Sequence, residues 1–254
     1  MTSFAPPDTW PLPYTPKPTG RVYCIGMNYR KHVAELGNAV PEKPVVFMKP
    51  ADALVRPDRP IVFPRHGREL HHEVELVLVI GCYVPYRCTE EQAVHYIGGV
   101  GLGLDLTLRD VQAELRKKGL PWEAAKSFDG SITLGPTVPV REVGNLGALE
   151  FSCLVNGVVR QQGHTSDMIV SPAALVCAVA EVWDLNPGDL IYTGTPQGVG
   201  PLEVGDEVAV EAPWVGRTSW TVMPARQERE EDPYEDFWRS LPPGMPGIPA
   251  RKRG

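Results

Sequence analysis

The chain has 254 residues, 43% hydrophobic and 22% charged, proportions of ordinary soluble usage that allow a sizeable core. A net charge of −6 argues against the basic face of a nucleic-acid binder, and no apolar run is long enough to span a bilayer. The 25 glycines and 27 prolines fit many tight turns between short strands and fit an all-helical architecture poorly.

In chain order, residues 1–19 read as a proline-rich extended arm, with prolines where a signal peptide would carry its apolar segment. Residues 20–224 read as a single catalytic domain of mixed, β-rich α+β class. Its strand-like runs are RVYCIG, VVFM, ELVLVIG, VGLGLDL, FSCLVNG, DLIYTG, EVAVEA and SWTV. Three segments carry helical patterns. NYRKHVAELGN has Asn28 as a candidate N-cap and Gly37 as a stop. Thr107 to Lys118 opens on a Thr107/Asp110 capping-box pattern. A third helix is expected from about Ser171, carrying Ala174, Leu175, Ala178 and Val182. Residues 225–254 form a tail with six acidic and six basic residues. In it, DPYEDFWRSL predicts a short amphipathic helix with Tyr234, Phe237, Trp238 and Leu241 on one face, expected to dock on the protein's own dimer. The five cysteines, Cys24, Cys82, Cys88, Cys153 and Cys177, are odd in number and lack paired metal spacing. They suit reduced thiols in a cytoplasmic protein.

The most informative stretch is HHEVELVLVIG. On a strand Glu73 and Glu75 share a face, yet the following LVLVI reads as buried on both faces. Two carboxylates entering such a strand repel each other and are costly to bury. They are either solvated at a frayed strand end or held by a cation. In GLGLDL, Leu102, Leu104 and Leu106 alternate with Gly101, Gly103 and Asp105, so Asp105 stands on a nearly bare face. Three carboxylates with no His or Cys describe a hard-cation site for magnesium, manganese or calcium rather than zinc.

His32 and Glu35 fall on one helical face, where the carboxylate can orient the imidazole, although a solvated surface pair has the same spacing. Lys126 lies among small and aromatic residues in PWEAAKSFDGS, where ordinary surface charge is the alternative. No G-x-G-x-x-G, Walker, G-x-S-x-G or H-E-x-x-H pattern occurs.

Taken together, IGMNYRKHVAE, PVVFMKPADAL, LHHEVELVLVIG, GLDLTLRDVQ, KKGLPWEAAKSFDGS, VNGVVRQQGHTSDMI and PGDLIYTGTPQGVGP resemble the fumarylacetoacetate hydrolase family, in its acylpyruvase and fumarylpyruvate hydrolase branch. The resemblance implies a mixed β-structure rolled into a barrel-like sandwich with a few short helices, usually a homodimer. It implies Glu73, Glu75 and Asp105 as ligands of Mg2+ or Mn2+, with Ca2+ able to stand in. His32 and Glu35 match a water-activating dyad and Lys126 a stabiliser of developing negative charge. Arg109 and Gln112 match substrate-lining residues, and Thr195 a carboxylate contact.

The expected activity is therefore metal-dependent hydrolysis of a C–C bond in a small keto acid of acylpyruvate type, giving pyruvate and a carboxylic acid. The same enolate chemistry supports oxaloacetate decarboxylation, keto–enol tautomerisation, or isomerisation and decarboxylation of longer oxo-dienoic acids. The dyad favours the hydrolase, because decarboxylation needs no water-activating base. A non-catalytic metal-binding protein is the remaining alternative.

Overall fold

The computed structural model of the protein describes residues 20–225. The predicted arm at 1–19 and the predicted tail helix around Asp232–Leu241 lie outside the described residues. The first strands are β1 (Val22–Gly26), β2 (Val45–Lys49), β3 (Leu54–Val55), β4 (Ile61–Val62), β5 (Leu70–His72) and β6 (Val74–Ile80), with α1 (Arg30–Glu35) between β1 and β2. Then come α2 (Glu90–Ala93), β7 (Ile97–Asp105), β8 (Thr107–Leu108), α3 (Arg109–Lys118), α4 (Glu123–Lys126), β9 (Ile132–Pro139), β10 (Glu150–Val155) and β11 (Val158–His164). The last elements are α5 (Pro172–Ala180), β12 (Leu190–Tyr192), β13 (Gly200–Leu202), β14 (Glu207–Ala212) and β15 (Gly216–Met223). The strand-rich, helix-poor class expected from the sequence is the class observed. Among the described residues no helix is long and apolar enough to cross a membrane.

The strands form a seven-stranded sheet in the order β2-β1-β12-β6-β7-β9-β3, a five-stranded sheet β11-β10-β14-β15-β4, and a small sheet β13-β5-β8. β6 lies at the centre of the largest, and its unbroken apolar run has the predicted consequence. Leu76, Leu78 and Ile80 enter the main core, while Val77 and Val79 enter a second cluster with Val22, Cys24, Ile132, Leu134 and Tyr192. Each such residue, fully withdrawn from water, contributes roughly 1.5–3 kcal/mol, which fixes the strand and the carboxylates at its start.

The helix starts differ from the sequence reading. Asn28 does not cap α1, whose N-cap is Tyr29 without a side-chain bond. The Asn28 amide instead donates to Val170 O and Thr193 O and its oxygen accepts from Val170 N, joining three chain segments. A buried amide with long-range partners gains more from those bonds than from a local cap. The Thr107/Asp110 capping box is also absent. Thr107 is in β8, and the Asp110 carboxylate accepts from the backbone N–H groups of Arg68 and Glu69. Gly37 follows α1 in the left-handed region as expected, at φ 64°, and Gly119 ends α3 in the same way, at φ 65°. The third helix begins at Ser171 as expected, with the Ser171 hydroxyl as its cap, but Val182 lies beyond its end and is exposed. The Thr89/Gln92 capping box of α2 escaped the sequence reading because the helix is too short to show periodicity.

The bare face of β7 has a steric cause. Gly103 pairs with Glu75 across the ladder, and a Cβ on it would lie 2.1 Å from Thr133 O and 2.9 Å from the Tyr192 ring. Gly103→Ala therefore costs about 3 kcal/mol, to be read as a lowered midpoint in urea unfolding; an unchanged midpoint would mean that the sheet opens freely at this point.

Candidate active site

The register that pairs Glu75 with Gly103 also brings Glu73 opposite Asp105, whose backbone N–H donates to Glu73 O at 2.9 Å. Three carboxylates thus gather on one face of two central strands. Each offers an oxygen within 4.8 Å of the others, and all three residues are buried. The strand-end alternative, solvated glutamates, is not what forms.

Buried anions need compensation, and three cationic side chains supply it. Lys126, at the end of α4, donates to Glu73 Oε2 and Asp105 Oδ2, both at 2.8 Å. Arg109, the first residue of α3, pairs with the other oxygen of Glu73 and donates to Gln112 Oε1 at 2.7 Å. Lys49, at the end of β2, pairs with Asp105 Oδ1 and donates to the carbonyls of Leu106 and Ser131. The sequence reading missed Lys49. A lysine that closes an apolar strand just before a proline reads as a solvent-facing end, and only the sheet order turns it inward.

The charges are unevenly matched. Burial alone would push the Glu73 carboxyl up, but Lys126 and Arg109 hold it well below the ordinary range. Glu75 has no cation of its own. Burial, with Asp105 and Glu73 beside it, pushes its carboxyl well above the ordinary range, offset in part by the Gly194 N–H that donates to Oε2 at 2.7 Å. Lys126 is pushed up by Asp105 and Glu73 against the opposing effect of burial. Asp105 Oδ1, despite the Lys49 ammonium beside it, receives no aligned hydrogen bond. An all-oxygen donor set with a repelled carboxylate and an unfilled acceptor fits a hard divalent cation.

His32, on α1, is buried, and Glu35 one turn later lies 3.0 Å from its Nδ1. A carboxylate only accepts, so Nδ1 carries a proton, and in the neutral ring Nε2 would be the basic nitrogen. Glu35 is itself held by the Gly198 N–H at 3.1 Å. The imidazole is withdrawn from water while the Glu35 side chain remains partly exposed, so the pair is not a wholly solvated one.

Thr195 arrives with the same loop, but its hydroxyl donates to Val74 O at 2.9 Å and accepts from Gln161 Nε2 at 2.8 Å. In this arrangement its proton braces the strand. Gln161, which the sequence did not single out, makes the complementary contacts. Its Oε1 accepts from Val74 N and lies 2.8 Å from His72 Nδ1, and its Nε2 also donates to Pro196 O.

A family model described as fumarylacetoacetate (FAA) hydrolase C-terminal matches residues 21–223. The chain belongs to the fumarylacetoacetate hydrolase family. It is 46% identical over 194 residues to the oxaloacetate tautomerase YcgM of Escherichia coli, covering 76% of this chain and 88% of that protein. It is 44% identical over 190 residues to the human mitochondrial oxaloacetate tautomerase FAHD1, covering 74% and 84%. Among solved structures, fumarylpyruvate hydrolase from Pseudomonas aeruginosa in complex with Mn2+ and pyruvate superposes with a TM-score of 0.78 at 37% identity, covering 82% of this chain and 91% of that one.

A raised carboxyl binds its proton more tightly in the folded chain than in the unfolded one. The stability it contributes is thus present below the ordinary carboxylate range and lost as pH rises toward the folded value. Glu75→Gln cannot ionise and keeps an oxygen for the Gly194 N–H. Without added cation it melts above the wild type at about pH 8 and level with it near about pH 4. Added Mn2+ raises the melting temperature of the wild type and not of the variant. A variant that melts lower at about pH 8 would remove the electrostatic account of Glu75.

Proposed function

We propose that the chain is a divalent-cation-dependent enzyme of short 2-oxo acids whose reaction is the keto–enol tautomerisation of oxaloacetate. The observation that carries this reading is the buried His32, fixed by Glu35 through Nδ1, in a chain whose three buried carboxylates gather as a cation site. Glu73, Glu75 and Asp105 would hold the cation, with Mg2+ or Mn2+ the best match to their oxygen donors. When bound, the cation supplies the positive charge that stabilises an enolate.

The remaining steps fall to side chains of this chain. Nε2 of His32 takes a proton from the methylene between the two carbonyl carbons and returns it to the 2-oxo oxygen, so one proton moves and nothing is released. Glu35 keeps the imidazole in the tautomer whose Nε2 is free and stabilises the imidazolium formed in passing. Lys126, buried and cationic, would stabilise the negative charge that develops. Arg109, with Gln112, would orient a substrate carboxylate through hydrogen bonds. Three cationic side chains face three carboxylates, so a dication adds a surplus of positive charge, which suits a dianionic keto acid.

The dyad does not by itself separate this reaction from hydrolysis. An imidazole that deprotonates water can equally deprotonate an activated carbon. The balance is tipped by the relatives at 46% and 44% identity that are named oxaloacetate tautomerases. A second reading, hydrolysis of an acylpyruvate to pyruvate and a carboxylic acid, is favoured by the similarity to the hydrolase that holds Mn2+ and pyruvate. A homodimer, the family's usual state, is retained as an expectation for this chain.

The two reactions separate in one experiment. Enol decay of oxaloacetate, followed by ultraviolet absorbance with Mg2+, should be accelerated without pyruvate release, whereas acetylpyruvate and fumarylpyruvate should yield little pyruvate. His32→Ala should lower turnover by about 10²–10⁴-fold while Mn2+ still raises its melting temperature. Fast pyruvate release from a diketo acid with no effect on oxaloacetate would establish the hydrolase instead. Full activity in His32→Ala would remove the base from both readings.

A further inference from the structure

Away from the carboxylate cluster, the fold brings together two thiols that stand 89 residues apart in the chain. Cys88 ends the loop leading into α2 and Cys177 lies on α5, with Sγ atoms 3.0 Å apart. Two features make this more than a chance approach of side chains. The Thr89 capping box fixes the backbone directly after Cys88. The Ser171 hydroxyl, at the N-cap of α5, donates to Glu90 Oε2 at 3.1 Å, so the two helices are pinned at a second point. Ala93 of α2 and Leu175, Val176 and Val179 of α5 are fully buried in the same core. Cys88 is buried, and Cys177 is only partly so.

We propose that Cys88 and Cys177 form an oxidation site, a thiol pair that a peroxide converts reversibly into an intramolecular disulfide joining α2 to α5. An approach of about 1 Å takes the sulfurs to disulfide bond length. Cys177, the more exposed thiol, meets the oxidant. Its sulfur attacks one peroxide oxygen, the O–O bond breaks, water leaves, and a sulfenic acid remains. Cys88 sulfur then attacks that sulfur, the S–O bond breaks, and a second water leaves. The two sulfurs lose two electrons, which reduce the two peroxide oxygens. Burial, the Cys88 thiol and the nearby Glu90 and Glu181 push the Cys177 thiol up to about 12, and Tyr96 packs within electrostatic reach of both sulfurs. Little thiolate is present near neutral pH, so the reaction is slow and needs peroxide in excess.

The experiment treats the full-length protein with hydrogen peroxide, blocks remaining thiols by alkylation, and maps peptides without reduction. The expected result is a loss of about 2 Da per chain and a cross-link between the peptides holding Cys88 and Cys177, reversed by dithiothreitol. The oxidised form should melt roughly 5–10 °C higher, because the link closes a long loop, and Cys177→Ser should show neither change. Both thiols remaining open to alkylation would overturn the proposal. So would oxidation stopping at a sulfinic acid on Cys177, or a disulfide that recruits Cys82 or a second chain. The wild-type cross-link map decides the matter even if a serine variant fails to fold.

Discussion

Three carboxylates on one face of a central, otherwise apolar strand pair set the terms for the surrounding structure. Left uncompensated, each would cost several kcal/mol to hold away from water. Lys49 comes from β2, far along the chain from the neighbouring helices α3 and α4 that carry Arg109 and Lys126, and each ends on these oxygens. Glu75 is the exception, held by a single backbone N–H. That imbalance is why the site reads as a place for a cation rather than as a finished salt-bridge network. A cluster optimised for stability alone would have neutralised or replaced Glu75.

Around the cluster lies a set of amide side chains whose contacts are all long-range. Asn28 ties the start of α1 to the loop before α5 and to Thr193. Gln161 ties β11 to Val74, which sits between Glu73 and Glu75, and to the Thr195–Pro196 turn. Through Gly198 the same turn region holds Glu35, and through Gly194 it holds Glu75. One loop, from 193 to 198, therefore positions both the base and the carboxylate that lacks a cation. Buried amides with every contact satisfied rigidify what they join.

Tautomerisation and C–C hydrolysis differ less than their names imply. Both pass through an enolate of a 2-oxo acid, and both need a base beside a site that stabilises that charge. They part on whether the imidazole meets carbon-bound hydrogen or a water molecule. The depth at which His32 is buried and the small set of charges around it are common to either course. What separates them is the shape of the space above the cluster and the water it admits, which depends on the acid being turned over.

The sequence alone determined what depends on local pattern. The alternation Glu-Val-Glu before an unbroken apolar run placed two carboxylates on one face of a buried strand, and the glycine-leucine alternation before Asp105 placed the third. Spacing of three put Glu35 on the same helical face as His32, Gly37 marked the end of the first helix, and the start of the third fell near Ser171. Only the tertiary structure decided what depends on register and sheet order. It turned Lys49 inward, gave Asn28 and Asp110 distant partners in place of the local caps expected of them, committed the Thr195 hydroxyl to Val74, and set Cys88 against Cys177. The physical reason is the same in each case. A polar side chain takes whichever partner the packed fold brings within reach, and for partners tens of residues away the one-dimensional pattern carries no record of that distance.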